Sequence, residues 1–152
     1  MSRIDQPPGT LTRLMFRAPI YVYRSGLGWL MSKRLLLLTH TGRKSGQRRY
    51  AVLEVARHDE PSGTLLVPAA YGRKADWYLN VLKTPEVVVN HRGRRREMRA
   101  GTLPVETATD EFAAYTASHP RAAKNLGRMM GIPFSDPRAV AAQIPLVALR
   151  PR

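Results

Sequence analysis

Three observations in the amino-acid sequence predict an α+β fold whose mostly antiparallel sheet curls into a barrel. Apolar residues recur at helical spacing near both ends of the chain, they alternate with a period of two through the middle, and the strands are joined by stretches too short for right-handed βαβ crossovers. The 152 residues suit one domain. A chain of that size buries roughly 68–70% of the surface its unfolded form exposes, so a core forms without metals or disulfides.

Residues 1–9 read as a disordered lead-in, because Pro7-Pro8-Gly9 continues neither helix nor strand. The single domain, residues 10–152, opens with Leu11, Leu14, Met15 and Ala18 at helical spacing behind Thr10 as N-cap. Pro19 ends that helix or begins a second, and Gly26 stops it. Residues 35–41 form a strand, and residues 49–58 alternate Tyr50, Val52, Glu54 and Ala56 against Ala51, Leu53 and Val55, as a second strand does. The cluster Asp59-Glu60-Pro61-Ser62-Gly63 turns the chain into a strand at 64–69. Residues 75–83, with Trp77, Tyr78, Leu79 and Leu82, are helical and stop before Pro85. A hairpin follows at 86–91 and 94–100 around Arg92-Gly93. Helices at 106–118 and 120–130 end at Gly131-Ile132-Pro133, and a strand at 144–149 closes the chain.

Charge and composition narrow the chemistry. Lys and Arg exceed Asp and Glu by 14, with +7 in residues 1–60 and +7 in residues 61–152, so the excess belongs to the folded body and not to a tail. Such a field attracts nucleic acid, an anionic membrane or a phosphate-bearing cofactor alike. Cysteine is absent, which removes thiolate nucleophiles, thiolate metal sites and disulfides and fits a reducing compartment. No apolar run approaches the roughly 18 residues of a membrane span, and Met1-Ser2-Arg3-Ile4-Asp5 opens no secretory signal, so the expected location is cytoplasmic. Residues 11–30 mix Arg13, Arg17 and Arg24 with Phe16, Tyr21, Tyr23 and Trp29. That composition suits a helix packed on its own domain, or a peripheral contact with the inner membrane face.

The densest functional signal is Thr39-His40-Thr41-Gly42-Arg43-Lys44-Ser45-Gly46-Gln47-Arg48-Arg49, between two strands. Its glycines expose backbone amides in a tight turn and its four cations surround them, which makes either an anion cradle or an exposed basic turn. The Gly-Lys-Ser/Thr end of a nucleotide-phosphate loop is missing. Ala69-Ala70-Tyr71-Gly72, running toward Trp77-Tyr78-Leu79-Asn80, brings small residues and helix amides where an anion or a flat ring could lie, although Trp77 and Tyr78 also fit a core. His40, His58, His91 and His119 show no ligand spacing, and no metal is expected. No Gly-x-Ser-x-Gly elbow supports hydrolysis. In Arg92-Gly93-Arg94-Arg95-Arg96-Glu97-Met98-Arg99, alternation sends Arg94, Arg96 and Met98 to one face and Arg95, Glu97 and Arg99 to the other. This reads as a solvated hairpin, with no specific nucleic-acid site.

Thr41-Gly42-Arg43-Lys44-Ser45-Gly46-Gln47-x-Arg49, then Ala69-Ala70-Tyr71-Gly72, Trp77-Tyr78-Leu79-Asn80 and Pro85-x-Val87-x-Val89, together resemble the deazaflavin-dependent nitroreductase and quinone reductase family. The resemblance spans about residues 10–150 and implies a split β-barrel of the FMN-binding type with flanking helices, using coenzyme F420. It implies that Lys44 and Arg49 contact the coenzyme's phosphate and acidic tail, with Arg43 and Gln47 in the same turn. Ala69, Ala70 and Tyr71 match the segment that meets the deazaflavin ring, and Trp77 matches a tryptophan beside it. Tyr115 aligns loosely with tyrosines on the substrate side, and Tyr71 and Tyr115 are the candidate proton donors. The implied reaction is hydride transfer to a small acceptor such as a quinone, enone or nitroaromatic. An FMN-binding split-barrel reductase and a non-catalytic deazaflavin carrier are the alternatives. Arg48 stands where the family often has proline, and residues 110–130 are poor in aromatics, which leaves the acceptor open.

Overall fold

The computed structural model describes residues 34–152. Among them the strands are β1 (Leu35–Thr41), β2 (Arg48–Glu54), β3 (Arg57–Asp59), β4 (Thr64–Pro68), β5 (Glu86–His91), β6 (Arg94–Thr102) and β7 (Leu146–Pro151). Helix α1 (Asp76–Lys83) sits between β4 and β5, while α2 (Val105–Ser118), α3 (Pro120–Met130) and α4 (Pro137–Gln143) separate β6 from β7. The helices expected within residues 10–30 lie outside the described residues, as does any contact they make.

The strands form one antiparallel sheet in the order β2-β1-β5-β6-β7-β4-β3. The strand expected at 49–58 is two strands, because the chain bends at Val55-Ala56. The Val55 amide turns back to Arg34 O (2.6 Å) and the next amide, Ala56, turns to Leu66 O of β4 (2.8 Å). The two ends of the strand order are therefore one bent segment, which curls the sheet back on itself into a split barrel.

Alternation then fixes the two sides. Leu36, Leu38, Leu53, Val55, Leu65, Val67, Val87, Val89, Met98, Ala100, Val147 and Leu149 point inward and form the barrel core. Leu66, Leu146 and Ala148 point outward and are covered by Phe112 and Tyr115 of α2, Ala123 and Met130 of α3, and Val140 and Ala141 of α4. Helix α4 was not evident from periodicity over its seven residues. Its signals were Asp136, whose carboxylate accepts from the Ala139 amide at 3.2 Å, and Pro137 in the first turn. The break after α3 is as expected: Gly131 takes φ 72° and the Ile132 amide reaches back to Gly127 O at 3.1 Å.

The barrel has two unlike ends. At one lie the β1–β2 turn, the segment after β4 and α1, whose Trp77, Tyr78 and Val81 join the barrel core as a plug. The Tyr78 hydroxyl meets Thr102 Oγ1 at 3.1 Å, at the same end of β6. At the other end lie the β3–β4 and β5–β6 turns, with no described helix over them.

Candidate cofactor site at the plugged end of the barrel

The β1–β2 turn is a closed, defined structure. Gly42 N–H donates to Gln47 O (2.8 Å), Gly46 N–H to Gly42 O (2.9 Å), and Gln47 N–H to Ser45 Oγ (3.2 Å). A Cβ on Gly42 would stand 2.6 Å from Ser45 Oγ, and Gly46 takes φ 70°, so both glycines answer a geometric demand.

What holds this turn against the barrel is Asn80 of α1. Its Oδ1 accepts from the Arg43 amide (3.0 Å) and from Arg43 Nη1 (2.9 Å), and its Nδ2 meets His40 Nδ1 of β1 (3.0 Å). Arg43 Nη2 also pairs with Asp76 at 3.3 Å, and Lys83 Nζ donates to Arg43 O at 2.7 Å. Burial, reinforced by the Arg49 charge and opposed by Asp76, holds His40 down to a pKa of about 4. The ring is neutral at pH 7, so Nδ1 is the acceptor for the Asn80 amide and Nε2 carries the proton. Asn80, Asp76, Lys83 and His40 were not among the expected site residues. The signal for Asn80 was a buried polar residue within an otherwise aromatic helical face.

Of the four cations in the turn, Arg43 is thus taken up by α1. Lys44, Arg48 and Arg49 are exposed and have no carboxylate partner among the described residues. Arg48 pairs with Thr41 and Arg49 with His40 across the ladder, so the two guanidinium groups leave β2 on opposite faces. Arg49 Nε lies 3.5 Å from where a Gly42 Cβ would be, folded over the turn. Gln47 is exposed beside it. The amides of Gly42, Arg43, Gly46 and Gln47 are used within the turn and by Asn80, so the donor set for a phosphate and further carboxylates is the side chains of Lys44 and Arg49, with Arg48 on the opposite face.

The second segment is at the same end. Ala69 N–H donates to Pro145 O (2.9 Å) and Gly72 N–H to Ala69 O (2.8 Å), which turns the chain sharply out of β4. Ala70 donates to no backbone carbonyl among the described residues. Ala69 and the half-buried Tyr71 pack on the barrel core, whereas Ala70 packs on the helical layer, so this segment follows the seam between the two. Burial raises the Tyr71 phenol above its ordinary pKa. Trp77 is 8% exposed and edge-on to Tyr78, with centroids 6.1 Å apart, and so belongs to the barrel plug.

Tyr115 lies on the helical side. Its hydroxyl donates to Glu54 Oε1 at 3.1 Å, and it shares a small cavity with Glu54, Ala56, Phe112 and Pro68, the residue before Ala69. Burial, together with the Glu54 charge and hydrogen bond, pushes its pKa up to about 12. His119 stacks on the ring at 5.2 Å. The structure therefore gathers Arg43, Lys44, Gln47, Arg49, Ala69, Ala70, Tyr71 and Trp77 at one end, with Tyr115 behind the β4 exit. Among the described residues no three His, Asp or Glu side chains come close enough to hold a metal, and no helix is long and apolar enough to cross a membrane.

Comparison with known proteins establishes the family and the fold. The sequence pattern of the F420H(2)-dependent quinone reductase family matches residues 16–130. No curated protein matches the chain. Among solved structures, an F420-H2 dependent reductase superposes with a TM-score of 0.56 at 22% identity, covering 79% of this chain and 96% of that one. An FMN-binding protein related to pyridoxamine 5'-phosphate oxidase, from Nostoc punctiforme, superposes at 0.55 with 14% identity over 97% of this chain and 82% of that one. A stress-protein relative of the pyridoxinephosphate oxidase family from Clostridium acetobutylicum superposes at 0.53 with 9% identity, covering 88% and 84%. At these identities the superpositions establish the split-barrel fold.

Proposed function

The chain belongs to the F420H(2)-dependent quinone reductase family and is an F420-dependent reductase, and on that premise we propose that it reduces a small quinone-type acceptor at the plugged end of the barrel. The supporting observation is the Asn80 clamp, which removes Arg43 from the anion-binding set and presents Lys44 and Arg49 around a rigid turn. Lys44 and Arg49 hold the phosphate and acidic tail of the coenzyme, with Arg48 and Gln47 at the rim. The Ala70 amide and the backbone of Ala69 and Tyr71 face the ring, and Trp77 fixes the floor beneath it by keeping α1 in the barrel.

When bound, the reduced deazaflavin supplies the hydride. The chain's own work is orientation and delivery of one proton. Hydride addition to one end of a quinone leaves negative charge on the far oxygen, and a hydroxyl donating there lowers the cost of that charge. Tyr71 suits this role: a phenol, with an ordinary pKa of about 10, is protonated at neutral pH, and its O–H donates to the developing oxyanion. Tyr115 donates to Glu54 and acts as a positioning residue, holding α2 against β2 beside the β4 exit. Enones and nitroaromatics develop the same oxyanion and are secondary acceptors.

The test is a titration of the full chain with coenzyme F420, followed by cofactor fluorescence, with FMN and NADPH as controls. FMN belongs in the test because FMN-binding proteins share this fold. Selective binding of F420 is expected, weakened about tenfold or more by Lys44→Ala and again by Arg49→Ala, since a charge-assisted hydrogen bond contributes about 1.5–3 kcal/mol. Unchanged affinity in both variants, or a preference for FMN, overturns the assignment of the turn.

A further inference from the structure

We propose that the end of the barrel opposite α1 is a second binding site, for a small organic anion whose carboxylate or phosphate meets Arg94 and Arg96 and whose apolar part lies on Leu65, Val89 and Met98. A cavity of about 460 Å³ opens there, with Leu65, Val89 and Met98 at its floor and His58, His91, Arg92, Arg94, Arg96 and Glu60 around its wall. The size is that of a small-molecule pocket, and an apolar floor with a few polar groups at the rim is the composition such pockets have.

Strand register explains how the cations come to be inside. Met98 and Ala100 of β6 point into the core, so Arg96 and Arg94 occupy the next two inward positions, opposite Val89 and His91 of β5. His58, on β3, places its ring edge-on to His91 with centroids 5.3 Å apart, and its buried Nδ1 has no hydrogen-bond partner among the described residues. Arg96 leans over the mouth toward the β3–β4 turn, its Nη1 3.1 Å from where a Cβ on Gly63 would stand.

Charge balance points to an anion. Arg92 is paired with Glu60 across the mouth at 3.4 Å, and Asp59 interacts with Arg57 and Ser62. Arg94 and Arg96 have no carboxylate among the described residues, although two residues apart on one face puts like charges side by side. An oxyanion between them relieves that repulsion and takes the guanidinium forks in paired hydrogen bonds. Arg92 takes φ 54° as the first residue of the two-residue turn with Gly93 (φ 77°), a conformation set by the hairpin. The site stands apart from the coenzyme cradle, because β5 and β6 run the length of the barrel between the two ends.

The experiment titrates the full chain with octanoate, octyl phosphate, inorganic phosphate and octanol, following the His58 and His91 side-chain resonances by NMR and heat by calorimetry. At least one octyl anion is expected to bind and shift both histidines, with octanol and inorganic phosphate each at least tenfold weaker. The tighter of the two anions identifies the head group. The Arg94→Gln/Arg96→Gln variant, whose side chains are exposed and outside the cradle, is expected to keep the melting temperature and F420 affinity and to lose at least tenfold in anion affinity. No shift with either anion at millimolar concentration, equal binding of octanol, or undiminished affinity in the double variant each overturns the site.

Discussion

Replacing Asn80 with leucine isolates the contact on which the cofactor turn depends. Leucine has the same heavy-atom branching as asparagine, so its side chain follows the same path from α1, while three hydrogen bonds at 2.9–3.0 Å are lost. Two of the deserted groups are costly: His40 Nδ1, in a residue only 4% exposed, and the half-buried Arg43 amide. Arg43 Nη1 retains water and counts for little. Each orphaned group costs about 1–3 kcal/mol, which places the loss at about 3 kcal/mol. For a domain of this size that shifts the melting temperature by roughly 10 °C. Urea unfolding at pH 7 measures it, with an unchanged m-value showing that the denatured state is not altered. Because the turn is released from α1, amide exchange across residues 42–47 speeds up and F420 affinity falls along with stability. Asn80→Asp separates the two halves of the clamp: the carboxylate still accepts from Arg43 but cannot donate to His40, so the His40 pKa rises. A loss below about 0.5 kcal/mol in Asn80→Leu, with turn exchange unchanged, refutes the clamp.

The His40 environment carries its own pH signature. Its folded pKa of about 4 lies below the ordinary histidine value of 6.5, so between those values the unfolded chain binds the extra proton. The stabilisation is complete above pH 6.5, is lost as the pH falls toward 4 and changes no further below it, amounting to about 3 kcal/mol. The His40 ring resonance should titrate near pH 4, and a midpoint above 6 contradicts the burial argument. At the reaction site, Tyr71→Phe should lower kcat by about 100-fold with little change in F420 affinity, as expected for a lost proton donor. Tyr115→Phe should cost about 1 kcal/mol of stability and leave kcat within a few-fold. The reverse ranking in steady-state assays would make Tyr115 the donor.

Strand β5 was legible because it buries one face, which leaves a period of two in the sequence, whereas β1, β4 and β7 are buried on both faces and showed as short continuous apolar runs. The period of two also ran through residues 49–58 without showing the bend, since Val55 and Ala56 keep the alternation while their amides turn to different neighbours. The bend is a matter of backbone pairing, which side-chain type does not record. Helix α4 escaped for a different reason: seven residues hold fewer than two turns of periodicity, and its caps were the stronger sign. At the site, Gly42-Arg43-Lys44-Ser45-Gly46 was readable as a cation-rich turn, but four cations in sequence look alike. The partners on α1, Asn80 and Asp76, more than thirty residues away in sequence, separate Arg43 from Lys44.

That separation applies to the whole basic surface. A net charge of +14 gives a long-range attraction for any anion, and salt screens it over about 8–10 Å, so charge alone confers little selectivity. Selectivity arises where the fold decides which cations keep an acid beside them. Arg57 is tied to Glu111 at 3.0 Å, Arg99 to Glu86 at 2.8 Å and Arg43 to Asp76. Among the described residues, Lys44 and Arg49 are left without a carboxylate by a turn locked to α1, and Arg94 and Arg96 by a strand whose inner face outruns its core. In both places local repulsion between like charges is tolerated beside rigid backbone. A ligand oxygen placed there relieves repulsion and meets donors already held in position, whereas the same anion elsewhere on the surface must first displace a carboxylate or order a free side chain.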